Sequence, residues 1–383
     1  MQLPVLTEIC SDVYLPTTLR VEKRIHSTAC VLIIRKLLAQ PLKIGRPFTN
    51  PFQRIHKTEF SILDTHHNHP LISIIIVNWN VGELVVQALQ SLYEHGGYTK
   101  EEMEVLVVDN ASSDDSVTLM QAAFPNLNIV VLEENVGFGR ANNKMYAQCR
   151  ADLVLLLNPD TIVQNNAVKK MVEQMLADTS IGALGCRLLN PDGSFQRSGG
   201  GAFPTLKNLA WNYFFLNRFA PKSWAPPAIF FDEDPGKVCD VEWISGAALL
   251  LRKTAVGDEL FNVKFFMYGE DIELCHRIAQ RGWRIVYTPE ASIVHLYGQS
   301  IKRQDSAYVL AAPLKGPRAF FIMLHGKSGI WFYDFILFAG YAIRWPLFCI
   351  AAALQNNDKY RDMSKMSRKF ALTAGKFLLR ITK

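Results

Sequence analysis

The chain has 383 residues and no CxxC pair. Its seven cysteines, Cys10, Cys30, Cys149, Cys186, Cys239, Cys275 and Cys349, are odd in number and scattered. That argues against a disulfide framework or a structural zinc site and for a reducing, cytoplasmic compartment. No secretory signal is recognisable. The early apolar run over residues 29–38 is interrupted by Arg35 and Lys36 and lies too far from the start. There is no GxGxxG after the first strand and no GxxxxGK[ST], so neither a dinucleotide fold nor a P-loop is supported. Internal repeats are absent. Surplus charge is absent from most of the chain as well. The net charge is +6, but residues 355–383 alone hold 8 Lys/Arg against 2 Asp. A near-neutral main body argues against a nucleic-acid-binding face. The basic tail calls for its own partner, and an anionic membrane surface is the first candidate.

What is present is ordinary globular composition, 49% hydrophobic and 20% charged, enough for a stable core. Residues 1–70 hold several prolines and no sustained period, and receive no function. A short helix can form near residues 31–39. His66, His67 and His69 lack a further ligand nearby and read as a solvated linker rather than a metal site. At Leu71 the character changes. Residues 72–77 form a β-branched, apolar run suited to a central parallel strand. A helix is expected over 82–94, strands over 103–109, 128–132 and 152–157, and helices over 114–124 and 138–150. Such alternation with short connections predicts a doubly wound α/β sheet. Residues 194–240 read as irregular around one helix near 206–218. Order returns over 241–252, then a helix over 270–281 and a strand over 283–287.

Ligands of open parallel sheets bind at the carboxyl ends of the strands. Here the first strand ends in Asn78-Trp79-Asn80 and the second in Asp109-Asn110, with Ser112 to follow. The third leads to Asn135, Gly137, Gly139, Arg140 and Asn142, and the fourth to Asn158-Pro159-Asp160. Each cluster alone is ordinary turn chemistry. Four on one sheet edge point to a ligand. Asp109 can accept from a pyrimidine N3–H, and Arg140 can donate to a base carbonyl or a phosphate. Asp160 suits Mg²⁺ or Mn²⁺ shared with a diphosphate, or alternatively an N-cap on the following helix.

A second constellation is Gly269-Glu270-Asp271. The two acids fall in the first turn of a helix, where the macrodipole is expected to keep them ionised. An ionised carboxylate at a pocket rim can act as a general base; the alternative is favourable helix-start charge and nothing more. Glu273 and Arg277 stand at i,i+4 and read as a structural pair. His295, after the last strand, can be a metal ligand, a phosphate donor or a satisfied core histidine.

Taken together, these segments resemble glycosyltransferase family 2, the GT-A fold, across about residues 71–300. The resemblance rests on the runs 73–80, 107–114, 135–143, 155–160 and 269–274, in the family's order. The nearest branch looks like bacterial rhamnosyltransferases that build lipid-linked O-antigen and cell-wall saccharides. The resemblance implies that Asp109 and Arg140 contact the base, with Asn78 and Asn80 lining that pocket and Gly137 and Asn158 belonging to the nucleotide-sugar site. It implies that Asp160 and His295 hold Mg²⁺ or Mn²⁺, and that Asp271, or failing it Glu270, deprotonates the acceptor. The implied reaction is inverting transfer of a sugar, rhamnose in this branch, from a dTDP-, UDP- or GDP-linked donor to a lipid-linked saccharide. The implied place is the cytoplasmic face of the inner membrane. A sugar-nucleotide pyrophosphorylase would need a Gly-rich basic loop after the first strand, which is missing. An inactive nucleotide-binding subunit would be expected to lose its carboxylates, and Asp109, Asp160, Glu270 and Asp271 are all present. The family's DxD is Asn-Pro-Asp here, which leaves one carboxylate. The QxxRW of processive synthases is absent, so one sugar or a few are expected per acceptor.

The expected organisation is an N-terminal extension (1–70), a catalytic domain (71–300) and an apolar, basic helical region (301–383). Asp334, Arg344 and Pro346 divide the apolar stretch 330–354 into pieces of about ten residues, short of the ~20 a spanning helix needs. Met363, Met366, Phe370 and Phe377 recur at helical spacing among basic residues, the pattern of a helix lying in a membrane surface.

Overall fold

The computed structural model describes residues 69–216, 219, 221–296, 307–356 and 358–379. The helix considered near 31–39, and His66 and His67, lie outside the described residues. In chain order the α/β part runs β1 (Ile72–Asn78), α1 (Gly82–His95), β2 (Met103–Asp109), α2 (Ser116–Ala123), β3 (Asn128–Val131), α3 (Phe138–Tyr146), β4 (Leu153–Leu157), β5 (Thr161–Val163), α4 (Ala167–Ala177) and β6 (Ile181–Leu189). It continues with β7 (Gly200–Gly201), α5 (Leu206–Tyr213), β8 (Cys239–Asp240), β9 (Trp243–Ile244), β10 (Ala248–Arg252), α6 (Lys253–Val256), α7 (Glu270–Gln280) and β11 (Arg284–His295). The strands and helices expected up to Leu157 are all present, within a few residues at their ends.

The main sheet has the order β3-β2-β1-β4-β10-β6-β11-β5, with β8 beside β11. It is parallel from β3 to β4 and again between β6 and β11, while β10 runs antiparallel to both its neighbours. Strand alternation divides the core into two layers. Ile72, Ile74 and Ile76 pack on Leu89, Met171 and Val172 on one face. Ile75, Val77 and Val108 pack on Ala141, Met145 and Leu274 on the other. Burial on both faces explains why the strands read as continuous apolar runs.

Strand β6 had no counterpart in the sequence reading, because Gly182 and Gly185 dilute its β signal. The sheet needs a glycine at 185: a Cβ there would lie 2.2 Å from the Ile244 side chain of β9. The last strand is also longer than expected. It continues past Tyr287 to His295, with a register irregularity between Thr288 and Ser292.

The C-terminal region is helical: α8 (Ala307–His325), α9 (Ile330–Gln355) and α10 (Asp358–Leu378). Two expectations are corrected here. First, the apolar stretch is one continuous 26-residue helix, not ten-residue pieces. The charges expected to interrupt it are accommodated by the protein. Arg318 donates to both carboxylate oxygens of Asp334, at 2.7 and 2.9 Å. Arg344 donates to the carbonyls of Asn212 and Tyr213 and lies 4.2 Å from the Phe215 ring centroid. By length and composition alone α9 could cross a membrane. Second, the apolar stripe of α10 faces α9 rather than outward. Met363 packs with Phe348 and Tyr360, Phe377 with Tyr333 and Leu337, and Phe370 lies 5.0 Å from Tyr341, ring to ring. Helical spacing shows that an apolar face exists; here a neighbouring helix covers it.

Candidate active site

The register of β1 on β2 places Asn78 beside Asp109 at the strand ends. The Asn78 amide donates to Asp109 Oδ1 at 2.6 Å, and Ser112 donates to the same carboxylate through its backbone N–H (2.9 Å) and its hydroxyl (2.6 Å). Asn80 follows in a left-handed conformation, φ 57°. Its side-chain oxygen accepts from the Ser113 N–H at 2.7 Å, and its own N–H donates to Ser112 Oγ at 2.8 Å. Asp109 is thus a buried organiser of the loop rather than an open carboxylate. Ser112 and Asn110 do equal work. Asn110 accepts from the Val136 N–H (2.9 Å) and donates to Asn135 (2.9 Å), which orders the turn before Gly137. Gly137 begins α3 with φ 86°; a Cβ there would lie 2.7 Å from the Phe266 ring. Only glycine permits both that angle and that approach. Arg140 stands exposed in the first turn of α3.

Asp160 does not cap the following helix. The chain enters β5 instead, and α4 begins only at Ala167. Pairing of β5 with β11 brings Asp160 Oδ1 to 3.3 Å from His295 Nε2, both residues buried. The hydrogen-bond network assigns the imidazole tautomer. Gln196 donates from its amide nitrogen to Asn190 Oδ1 (3.1 Å) and the His295 carbonyl (3.2 Å), so its oxygen accepts from His295 Nδ1–H at 2.7 Å. Nε2 then presents a lone pair, and the Asn158 amide donates to it at 3.3 Å. In the neutral imidazole, a carboxylate oxygen and a ring lone pair set side by side form a donor set suited to a divalent cation. Among the described residues no cluster of three or more His, Cys, Asp or Glu completes such a site, so the remaining ligands would have to come from outside that set, such as water. Gln196 lies in the stretch read as irregular, and nothing in its neighbourhood of the sequence marked it. Only the pairing of β11 with β6 brings His295 to it.

Gly269 caps α7 with φ 85°, and Glu270 and Asp271 open the helix. Asp271 Oδ2 accepts from the Gly246 N–H at 3.3 Å, and Oδ1 from the Ile272 N–H at 2.9 Å. Glu270 is 6% exposed, and its Oε2 is buried with no partner. The expectation that the helix dipole keeps both acids ionised is corrected. Burial, then the neighbouring Asp271, pushes the Glu270 carboxyl up to about 8. Burial raises Asp271 as well, against the backbone donors that favour its charged form. The cost of desolvating two adjacent carboxylates exceeds what a helix terminus returns. The pair as a whole thus binds a proton more tightly than ordinary carboxylates, and Asp271, supported by two N–H groups, is the better placed of the two to carry the charge and accept a proton. Glu273 and Arg277 form the structural pair the spacing suggested, 3.2 Å apart.

The loop between β9 and β10 joins the two constellations. Gly246 donates to Asp271, and the adjacent Ala247 carbonyl accepts from the Asn158 N–H at 2.9 Å. Asn158 reaches His295 and, beyond it, Asp160. On the side of the β1–β3 loops, the Phe138 N–H donates to the Phe266 carbonyl at 3.1 Å, tying the start of α3 to the segment before α7. Acids separated by more than 100 positions thus share one hydrogen-bonded frame. Gly246 was not singled out from the sequence, although a glycine between two strand-like runs is a signal of close approach.

Known proteins resemble this chain in sequence and in fold. The profile of the family described as glycosyl transferase family 2 matches residues 73–243. An N-acetylglucosaminyl-diphospho-decaprenol L-rhamnosyltransferase of Mycobacterium tuberculosis is 29% identical over 273 residues, covering 68% of this chain and 86% of that protein. The rhamnosyltransferase WbbL of Escherichia coli K12 is 24% identical over 235 residues, covering 59% of this chain and 83% of its own. Among solved structures, the mannosyltransferase PcManGT of Pyrobaculum calidifontis, in complex with GDP-Man and Mn²⁺, superposes with a TM-score of 0.50 at 18% identity, over 83% of this chain and 89% of that one. The fold is therefore of the GT-A type expected from the sequence.

Proposed function

We propose that this chain, a member of glycosyl transferase family 2 through residues 73–243, moves rhamnose from a nucleotide-activated donor to a hydroxyl of a lipid-linked saccharide, with inversion. The observation that carries the proposal is the 245–247 loop, which sets the Asp271 carboxylate in one frame with Asn158, His295 and Asp160. The rhamnosyltransferase relatives supply the sugar, and the decaprenol-linked substrate in the name of one of them supplies the acceptor class.

In this reading the loops after β1, β2 and β3 hold the nucleotide, with Asn78, Asn80, Asp109, Gly137 and Arg140 as their key residues. Asp160 and His295 would hold Mg²⁺ or Mn²⁺, which supplies charge neutralisation to the departing diphosphate. Asp271 takes the proton of the acceptor hydroxyl as its oxygen bonds to the anomeric carbon and the carbon–diphosphate bond breaks on the opposite side. The raised proton affinity of the Glu270–Asp271 pair disfavours two adjacent negative charges at the base. The basic, apolar C-terminal helices suit an enzyme working at the cytoplasmic face of a membrane.

A donor screen tests the proposal: transfer from dTDP-, UDP- and GDP-sugars to a membrane lipid extract, with Mn²⁺ or Mg²⁺. A lipid-extractable product from dTDP-rhamnose is expected. Nucleotide binding without turnover on any donor and acceptor would move the chain to the class of non-catalytic nucleotide-binding subunits.

A further inference from the structure

Helix α9 has two charged residues, Asp334 and Arg344, and both are 2% exposed. Both point into the protein, where Arg318 and the carbonyls of Asn212 and Tyr213 hold them. The opposite face carries no charge. Trp331, Phe335, Phe338, Ile343, Trp345 and Ile350 are all exposed along it, over a length of roughly 28 Å at the helical rise. Trp331 and Phe335 stack in parallel at 5.5 Å. A continuous apolar strip of this size marks an interaction surface.

Its border is cationic. The outward positions of α10 include Lys359, Arg361, Lys365, Arg368, Lys369 and Lys376. The Arg368 guanidinium lies 5.5 Å from the centroid of the Trp345 ring, so the basic helix meets the apolar strip at that point. Tryptophan and phenylalanine beside lysine and arginine complement the interface of an anionic bilayer: rings enter the acyl boundary while the cations stay with the phosphates.

We infer that the outward face of α9 is a lipid-docking surface that lies in the plane of an anionic membrane, with the α10 cations along its rim, and that α9 does not cross the bilayer. Crossing would strip Asp334 and Arg344 of their partners and place both in hydrocarbon, where ionised groups are costly. An in-plane helix keeps those contacts and buries only the face the protein leaves open. Helix α8 joins this surface to the start of α7. Arg318 of α8 pairs with Asp334, and Gly316, half a turn earlier, packs so tightly on Tyr268 and Gly269 that no side chain fits between them. Docking through α9 therefore sets the height of Asp271 above the lipid surface. Only the benefit of that height rests on the proposed acceptor; the docking surface stands without it.

The test uses the full chain, without substrates, and vesicles of phosphatidylcholine with or without phosphatidylglycerol. Flotation with the mixed vesicles is expected. F335E/I350E should lower partitioning at least about tenfold, and K365E/K369E should weaken binding to the mixed vesicles alone. Should F335E/I350E fail to fold, quenching by brominated lipids decides. Trp331 and Trp345 are about 21 Å apart along the helix, so W331F and W345F removing comparable shares of shallow quenching supports an in-plane helix. One ring shallow and the other deep means a crossing helix and overturns the inference. It is also overturned by absent flotation, by flotation indifferent to the introduced charges, or by self-association that F335E abolishes with no vesicle binding. Flotation without sugar transfer leaves the surface standing and removes the catalytic reading. Transfer to a soluble acceptor without flotation does the reverse.

Discussion

Buried charge is treated in opposite ways in the two halves of the molecule. In the C-terminal helices Asp334 and Arg344 are each matched: two guanidinium hydrogen bonds for one, backbone carbonyls and an aromatic ring for the other. At the head of α7, Glu270 and Asp271 are buried side by side, and Glu270 Oε2 has no partner. A buried charge left unmatched costs far more than a matched one. The helices spend their charges on architecture. The site keeps two carboxylates whose affinity for protons is raised, which suits a group that must take one.

The largest effect that would sharpen this contrast is in activity. Asp271→Asn should lower transfer at least about 100-fold while leaving the melting temperature unchanged or higher, since it removes a buried charge. Loss of stability with transfer intact would reverse the roles assigned to the two regions. Asp334→Ala should do the opposite. It leaves Arg318 without its partner and should cost about 3 kcal/mol of stability in denaturant unfolding, with donor hydrolysis by the folded fraction little changed.

Gln196→Leu frees the His295 ring. Mn²⁺ affinity, followed by electron paramagnetic resonance without donor, should fall about tenfold or more, and the ¹⁵N signature of His295 should lose its single Nδ1–H tautomer. An unchanged signature would show that Gln196 does not orient the ring.

Glu270→Gln tests the raised pKa. The folded-state value lies above the ordinary one, so the acid form is favoured on folding. Its stabilising contribution is full below about pH 4.5 and is lost as pH rises towards 8. Glutamine keeps the shape without the titration. Relative to wild type the variant should gain at least about 3 °C in melting temperature between pH 5 and pH 8, and level off above. A constant difference across that range would mean Glu270 ionises normally. The smallest effect is expected at an exposed pair: Lys365→Ala, which removes the contact to Asp362, should change stability by less than about 0.5 kcal/mol.

Much of the catalytic fold is legible in the sequence, because a doubly covered strand must be apolar along its whole length. Residues 72–78, 103–109 and 153–157 announce themselves in that way. Strand β6 does not, since Gly182 and Gly185 serve close packing rather than β propensity. The polar residues after each strand are equally legible, as nothing in a turn explains four such clusters on one edge. Gln196 and Gly246 are not legible, because each acts through partners 25 to 99 positions away. The stripe of Met363, Met366, Phe370 and Phe377 is legible as apolar, but not that Met363 and Phe377 are buried and Phe370 packs on Tyr341.

The sequence by itself determined the alternation of strands and helices, the acids at their ends and the uneven placement of charge. Those properties are local, set by periodicity and residue chemistry. The tertiary structure decided which acids meet, which of them bind protons more tightly than usual, and which helix face remains open. Those depend on what stands opposite each side chain: β11 beside β6 for His295, a dry helix start for Glu270, and α9 over the apolar stripe of α10, leaving the aromatic face of α9 outward.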